Sequence, residues 1–206
     1  SKENLFKEVS LKNIALSGPI FDLEKLRYLN SRYLREDLSP QALGEAFLQW
    51  AYQDKDKLQD MMALIQPRVS HFGMMSQMLV SLSSESINIT PETLSNMKLN
   101  ADIARQALFL FNQCIETTPH FNRDTVQEHL NAISLYLDLK KRALLEPFFI
   151  ALFGQSSGLP LFDTMALIGK NLSRSRIRYA LEQLGGVSKK EQKAWSKIKL
   201  EEKTHE

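Results

Sequence analysis

From Asp22 to about Arg35 the chain places Leu23, Leu26, Leu29, Tyr33 and Leu34 three and four residues apart, with its charges at other positions. That spacing predicts an amphipathic helix, because residues three and four apart share a face. The same period predicts helices over Asp56–Ile65, Pro67–Leu82, Glu92–Thr117, Arg123 to about Leu145, and Leu161–Ile168. Stretches of alternating β-branched residues bounded by turn dipeptides, the mark of strands, are absent. The expected fold class is therefore all-α.

Local signals set the expected boundaries. Ser39-Pro40 and Thr90-Pro91 each pair an N-cap with proline at the first helical position. Pro67 and Pro147 are expected to break or end helices, since proline lacks a donor and its ring clashes with the preceding turn. Gly169 is expected as a left-handed stop. Ser173 then caps a helix with Ile177, Ala180, Leu181 and Leu184 inward and Arg174 and Arg178 on another side, ended by Gly185-Gly186. Ser188 and Glu191 have capping-box spacing and open a lysine-rich helix with few apolar contacts, Trp195, Ile198 and Leu200. The polar run SSESINIT, 83–90, is expected as a linker between two helical lobes, 1–82 and 91–206.

Composition narrows the class. The chain has 206 residues, 43% hydrophobic and 24% charged, which suits a globular protein rather than a disordered one. Its longest apolar stretch, Phe148–Phe153, is too short to cross a bilayer, and SKENLFKEVS lacks the apolar core of a signal peptide. A cytoplasmic, membrane-free protein is expected. One cysteine, Cys114, excludes an internal disulfide and reads as a buried thiol. The four histidines have no ligand spacing, and no phosphate-loop, HExxH or GxSxG motif occurs. No catalytic residue, metal ligand or cofactor site is expected in this chain, so it does not read as an enzyme by itself.

Net charge is only +2, so any nucleic-acid footprint must come from local clusters. Three are present: Lys25, Arg27, Arg32 and Arg35; Lys140, Lys141 and Arg142; and a series from Lys170 through Arg174, Arg176 and Arg178 to Lys189, Lys190, Lys193, Lys197 and Lys199. The third begins beside the loop GQSSGLPLF, 154–162. Glycine and serine let a backbone approach another molecule closely, and arginine forks suit phosphates and flat bases. Single-stranded nucleic acid would use all of these, although a helix start with a solvated face would look similar.

Two segments resemble the bacterial-type glutamyl-tRNA synthetases, downstream of their catalytic domain. The first, SGPIFDLEKLRYLNSRYLRE, carries Phe21, Asp22, Lys25, Leu26, Tyr28, Asn30, Tyr33 and Leu34 of that family's pattern. The second carries Gly154, Pro160, Leu161, Phe162, Leu167, Gly169, Lys170, Arg176 and Ile177. The resemblance implies a two-lobed helical cage of the class I synthetase anticodon-binding type, with tRNA(Glu) as partner, no DNA, and a monomeric state. It implies backbone contacts from Lys25, Arg27 and Arg32 to the tRNA stem. Gly158, Leu159, Pro160 and Leu161 would form a wall against an anticodon base, with Lys170, Arg174, Arg176 and Arg178 as its charged surround. Pro67-Arg68 is similar to a Pro-Arg pair whose arginine is associated with reading the third anticodon base. ATP, magnesium and glutamate chemistry would belong to a catalytic domain outside this sequence. The alternative is a stand-alone helical protein-interaction module, anchored by exposed Leu159–Phe162 and a groove of Met61, Met62, Met74, Met75 and Met78.

Overall fold

The computed structural model describes residues 22–51, 55–198 and 200, all helices and connecting turns among those residues. Two compact units part between Asp54 and Lys55. In the first, α1 (Leu23–Arg32) starts where the Asp22 carboxylate accepts from Lys25 N at 3.0 Å, and it continues as a wider turn over Tyr33–Asp37. Helix α2 (Pro40–Ala51) follows a Ser39 cap, with Ala42 N on the hydroxyl at 3.2 Å. Phe21 of the first family-like segment lies outside the described residues, as does Lys199.

The second unit holds α3 (Lys55–Ile65), α4 (Phe72–Ser83), the short α5 (Pro91–Ser95), α6 (Ala101–Thr117), α7 (Arg123–Tyr136), α8 (Lys141–Phe153), α9 (Leu161–Gln183) and α10 (Lys189–Trp195). Helix α9 is the hub, packing on α3, α4, α6, α7 and α8. Its Met165, Ile177 and Ala180 join Phe111 of α6 and Phe148 of α8, whose rings meet edge-on at 5.1 Å, in one continuous core. The 84–90 segment is irregular, yet Ile87 and Ile89 are buried in that core, so it runs inside the second unit.

Several boundaries differ from the sequence reading. Pro67 lies in a single 3₁₀ turn, Gln66–Arg68, and α4 begins only at Phe72, where His71 Nδ1 accepts from Met74 N at 3.1 Å. The 92–117 stretch is two helices because the Asn100 side chain accepts from the amides of Asp102 and Ile103 and starts α6 afresh. The 123–145 stretch also divides. Asp138 takes a left-handed φ of 49°, and Leu139 N reaches back to Ser134 O at 2.9 Å, closing a Schellman turn with aspartate in the position glycine usually fills. Pro147 sits inside α8 and does not end it. The missing bond would have gone to Ala143, which is exposed, so water can satisfy that carbonyl. The stop at Gly169 is real (φ 83°), but it is a kink. The helix resumes at once, and Ser173 is buried within it rather than capping it.

Two boundaries agree with the sequence reading. Gly185 and Gly186 end α9 with the same paired back-bonds, Gly186 N to Leu181 O at 2.8 Å among them. Ser188 and Glu191 form a reciprocal capping box. Cys114 is half-buried rather than buried. Met61 is in the core, with Met62, Met75 and Met78 packed against it, which makes them filler and not a groove. No helix among the described residues is long and apolar enough to cross a membrane.

Candidate nucleic-acid interface

The arginine-bearing half of α9 divides by environment. Lys170 donates its ammonium to the carbonyls of Glu116 (2.8 Å) and Thr118 (3.0 Å), where the C-terminal end of α6 favours a cation. One turn on, Arg174 pairs with the Glu116 carboxylate at 3.1 Å and donates to Asn112 at 3.3 Å. Both side chains are thus tied to α6. Arg178, another turn along, is exposed.

Arg176 is the correction. It is 1% exposed, and its guanidinium donates to the carbonyls of Leu152, Ser81 and Ser84. Burial lowers its pKa to about 10, so it stays charged at neutral pH. A fork closed on three backbone carbonyls inside the fold does not belong to a charged surface. The helical spacing that puts Arg174 and Arg178 outward turns Arg176 inward.

The 154–160 loop is held from behind. Gly154 has a left-handed φ of 71°, and a Cβ there would strike the carbonyl of Asn88. Thr93 donates its hydroxyl to Gly154 O at 3.3 Å. A Cβ at Gly158 would meet the Phe153 ring, so this glycine serves internal packing, while its position remains open to solvent. Leu159 (5% exposed) and Leu161 (4%) point into the core. The outer wall therefore consists of Gly158 and half-buried Pro160, without the leucine side chains expected beside them. The same burial removes the exposed Leu159–Phe162 anchor that a protein-interaction reading needs.

Arg68 is exposed in its 3₁₀ turn and donates an Nη1 bond to Leu64 O at 3.2 Å. Leu64 belongs to a shallow groove of about 480 Å³ between α3 and the first half of α9. Asp60, Ala63 and Leu64 line one side, and Asp163, Ala166 and Leu167 the other, each set one helical face. Arg123 of α7 enters it and pairs with Asp163 at 3.1 Å. The groove thus brings α3, which ends one turn before Arg68, beside α9, which begins at Leu161 after the loop. Lys25, Arg27 and Arg32 lie exposed on α1 in the other unit, with Arg32 paired to Glu36 at 2.8 Å. The sequence reading did not find Asp60, Arg123 or Asp163 as site residues. The last two stand 40 residues apart with no motif, and only the packing of α7 and α9 joins them.

Residues 34–181 match the family model described as the anticodon binding domain. The chain is 30% identical over 197 residues to the glutamate-tRNA ligase of Marinomonas sp. (strain MWYL1), covering 96% of this chain and 40% of the relative. It is 35% identical over 205 residues to that of Psychrobacter sp. (strain PRwf-1), covering 95% and 38%. The chain thus spans about 40% of the length of these curated relatives. A crystal structure of a glutamate tRNA ligase from Elizabethkingia meningosepticum, in complex with its amino acid, superposes with a TM-score of 0.56 at 20% identity, over 89% of this chain and 37% of that one. At that identity the likeness is one of fold.

Proposed function

This chain belongs to the anticodon-binding domain family, and from that premise we propose that it is the part of a glutamate-tRNA ligase that recognises tRNA(Glu) through its anticodon. Activation of glutamate with ATP and magnesium falls to a separate catalytic domain, and this part needs no cofactor of its own. It works in the cytoplasm as a monomer.

The observation that carries the reading is the family match itself, whose 34–181 span includes both Arg68 and the 154–162 loop. The geometry supports it. Sequence-specific RNA recognition favours unpaired bases, whose Watson-Crick edges and faces are open. The exposed arginine fork on groove-lining Leu64 offers an edge reader, and the Gly158–Pro160 wall at the start of α9 a face support. Lys25, Arg27, Arg32 and Arg178, all exposed, are the proposed backbone contacts.

The test is a filter-binding salt series with transcripts of tRNA(Glu) and tRNA(Gln). The expected outcome is tighter binding of tRNA(Glu), with affinity falling at a log-log slope of about 0.7 to 0.9 per phosphate neutralised. Equal affinity for both transcripts, or none, would overturn the reading.

A further inference from the structure

The α3–α9 groove carries two carboxylates on a face proposed to meet a polyanion, and that combination calls for a physical reason. Asp60 is exposed and has no hydrogen bond or ion pair among the described residues. Asp163 Oδ1 accepts from Arg123 Nε at 3.1 Å, and Arg123 Nη1 donates to Gln127 Oε1 at 3.3 Å. The rest of the groove lining is Ala63, Leu64, Ala166 and Leu167, short or aliphatic side chains that give it its apolar surface. Carboxylates repel phosphates and accept hydrogen bonds only. RNA offers a carboxylate 2′-hydroxyls, ring N–H groups and the exocyclic amines of bases, and of these the amines distinguish one base from another, as aspartate and glutamate accept from cytosine N4 in DNA.

We propose that this groove seats one unpaired, amine-bearing nucleobase of the anticodon loop, with its ring on the apolar lining and its amine donated to Asp60, while the Arg123–Asp163 pair lines the opposite side. The proposal rests on the tRNA-binding reading above and makes Asp60 a specificity-determining residue. Arg68, anchored on groove-lining Leu64, serves a neighbouring contact. An amine-lacking base leaves the Asp60 carboxylate facing a carbonyl or a bare edge, and is rejected.

The sign of a mutational effect separates this from a plain charged surface. Removing an acidic side chain from a surface that merely neighbours phosphates strengthens RNA binding, whereas removing an amine acceptor weakens it. Fluorescence-anisotropy titrations with tRNA(Glu) transcript compare wild type, Asp60→Ala and Asp56→Ala. Asp56 is an exposed carboxylate of α3 outside the groove and reports the generic charge effect. Asp60→Ala is expected to weaken binding about tenfold, Asp56→Ala to leave it unchanged or tighter, and both to keep the wild-type melting temperature. Transcripts losing one anticodon-loop amine at a time (uridine for cytidine, inosine for guanosine, purine riboside for adenosine) are expected to reveal one position where wild type loses about tenfold and Asp60→Ala loses nothing more. Wild-type preference for tRNA(Glu) with Asp60→Ala binding as tightly as Asp56→Ala would overturn the groove proposal alone. A wild-type chain that binds neither tRNA(Glu) nor tRNA(Gln), or binds both equally, would overturn the functional reading and this proposal with it.

Discussion

Arg176 Nη1 donates to the carbonyl of Leu152 at 3.0 Å, while Nη2 bonds the carbonyls of Ser81 and Ser84. One side chain of α9 thereby satisfies the ends of α8 and α4, whose last carbonyls have no partners within their own helices. The relationship fixes the end of α4 beside the helix that delivers the 154–160 loop.

Arg176→Met is expected to leave those carbonyls unpaired and to destabilise the chain by about 3 to 5 kcal/mol. For a chain of this size that is a fall of roughly 6 to 20 °C in melting temperature. Arg176→Lys should recover only part, because an ammonium cannot span the same fork. Circular dichroism melts check both, and a melting temperature within about 2 °C of wild type for Arg176→Met would show that water replaces the guanidinium.

The helical class and the helix starts at Asp22, Ser39, Thr90 and Ser188 were legible because their determinants are local: a side-chain oxygen, a proline, a fixed spacing. The missed breaks at 96–100 and 137–140 also have local causes, in Asn100 and Asp138. Continuous apolar periodicity on both sides concealed them. The candidate site was legible only in part. Sequence marks Arg68 and the 154–162 loop, but it could not reveal that Arg176 turns inward or that Asp60, Arg123 and Asp163 share a groove, since those depend on which helices pack against α9.

The C-terminal helix should loosen in acid. Hydrogen bonds from the Ser188 side chain and then its backbone, followed by the charge of Arg105 at 3.1 Å, hold the Glu191 carboxyl below its ordinary range. A depressed carboxyl pKa contributes stability at pH above its unfolded value, and that contribution is lost as pH falls through the lower folded value. Wild type is therefore expected to melt above Glu191→Gln by a constant margin from about pH 5.5 to 8, the margin closing below about pH 4. A margin that persists in acid would assign the effect to packing of α10 on α6, such as the Phe109–Trp195 contact at 5.5 Å.

Arg174 and Arg178 should separate when changed one at a time. Arg178→Ala is expected to reduce the salt slope of tRNA binding by about 0.7 to 0.9 and to leave the melting temperature unchanged, as for an exposed residue contacting one phosphate. Arg174→Ala removes a half-buried tie to Glu116 and Asn112, so its main effect is a melting temperature lower by about 1 to 4 °C. Salt-dependent filter binding and thermal melts on the same preparations check the split, and identical salt slopes for wild type and Arg178→Ala would remove Arg178 from the interface.

Arg68 tests discrimination between tRNAs. Glutamate anticodons end in C and glutamine anticodons in G. The Watson-Crick edge of cytosine presents adjacent acceptors, O2 and N3, to a guanidinium that can only donate, whereas guanine presents N–H donors at two of its three edge positions. A fork satisfied by C therefore faces like dipoles at G, worth roughly 1 to 3 kcal/mol by analogy with bidentate base contacts in DNA grooves. Arg68 is exposed, and its one hydrogen bond among the described residues, Nη1 to Leu64 O at 3.2 Å, orients the guanidinium on a residue that lines the groove. In a full-length ligase, Arg68→Gln is expected to narrow the preference for glutamate over glutamine tRNA by about tenfold, the lower half of that energy range. The measurement is kcat/KM for both tRNAs, with glutamate activation by ATP as a control that should not move, because the change lies outside the proposed catalytic domain. A constant ratio together with a lowered melting temperature would make Arg68 a structural closure of α3. Discrimination would then rest on the Gly158–Pro160 wall, where Pro160→Ala is the informative change. Leu161→Asp is not, because it would bury a charge in the core.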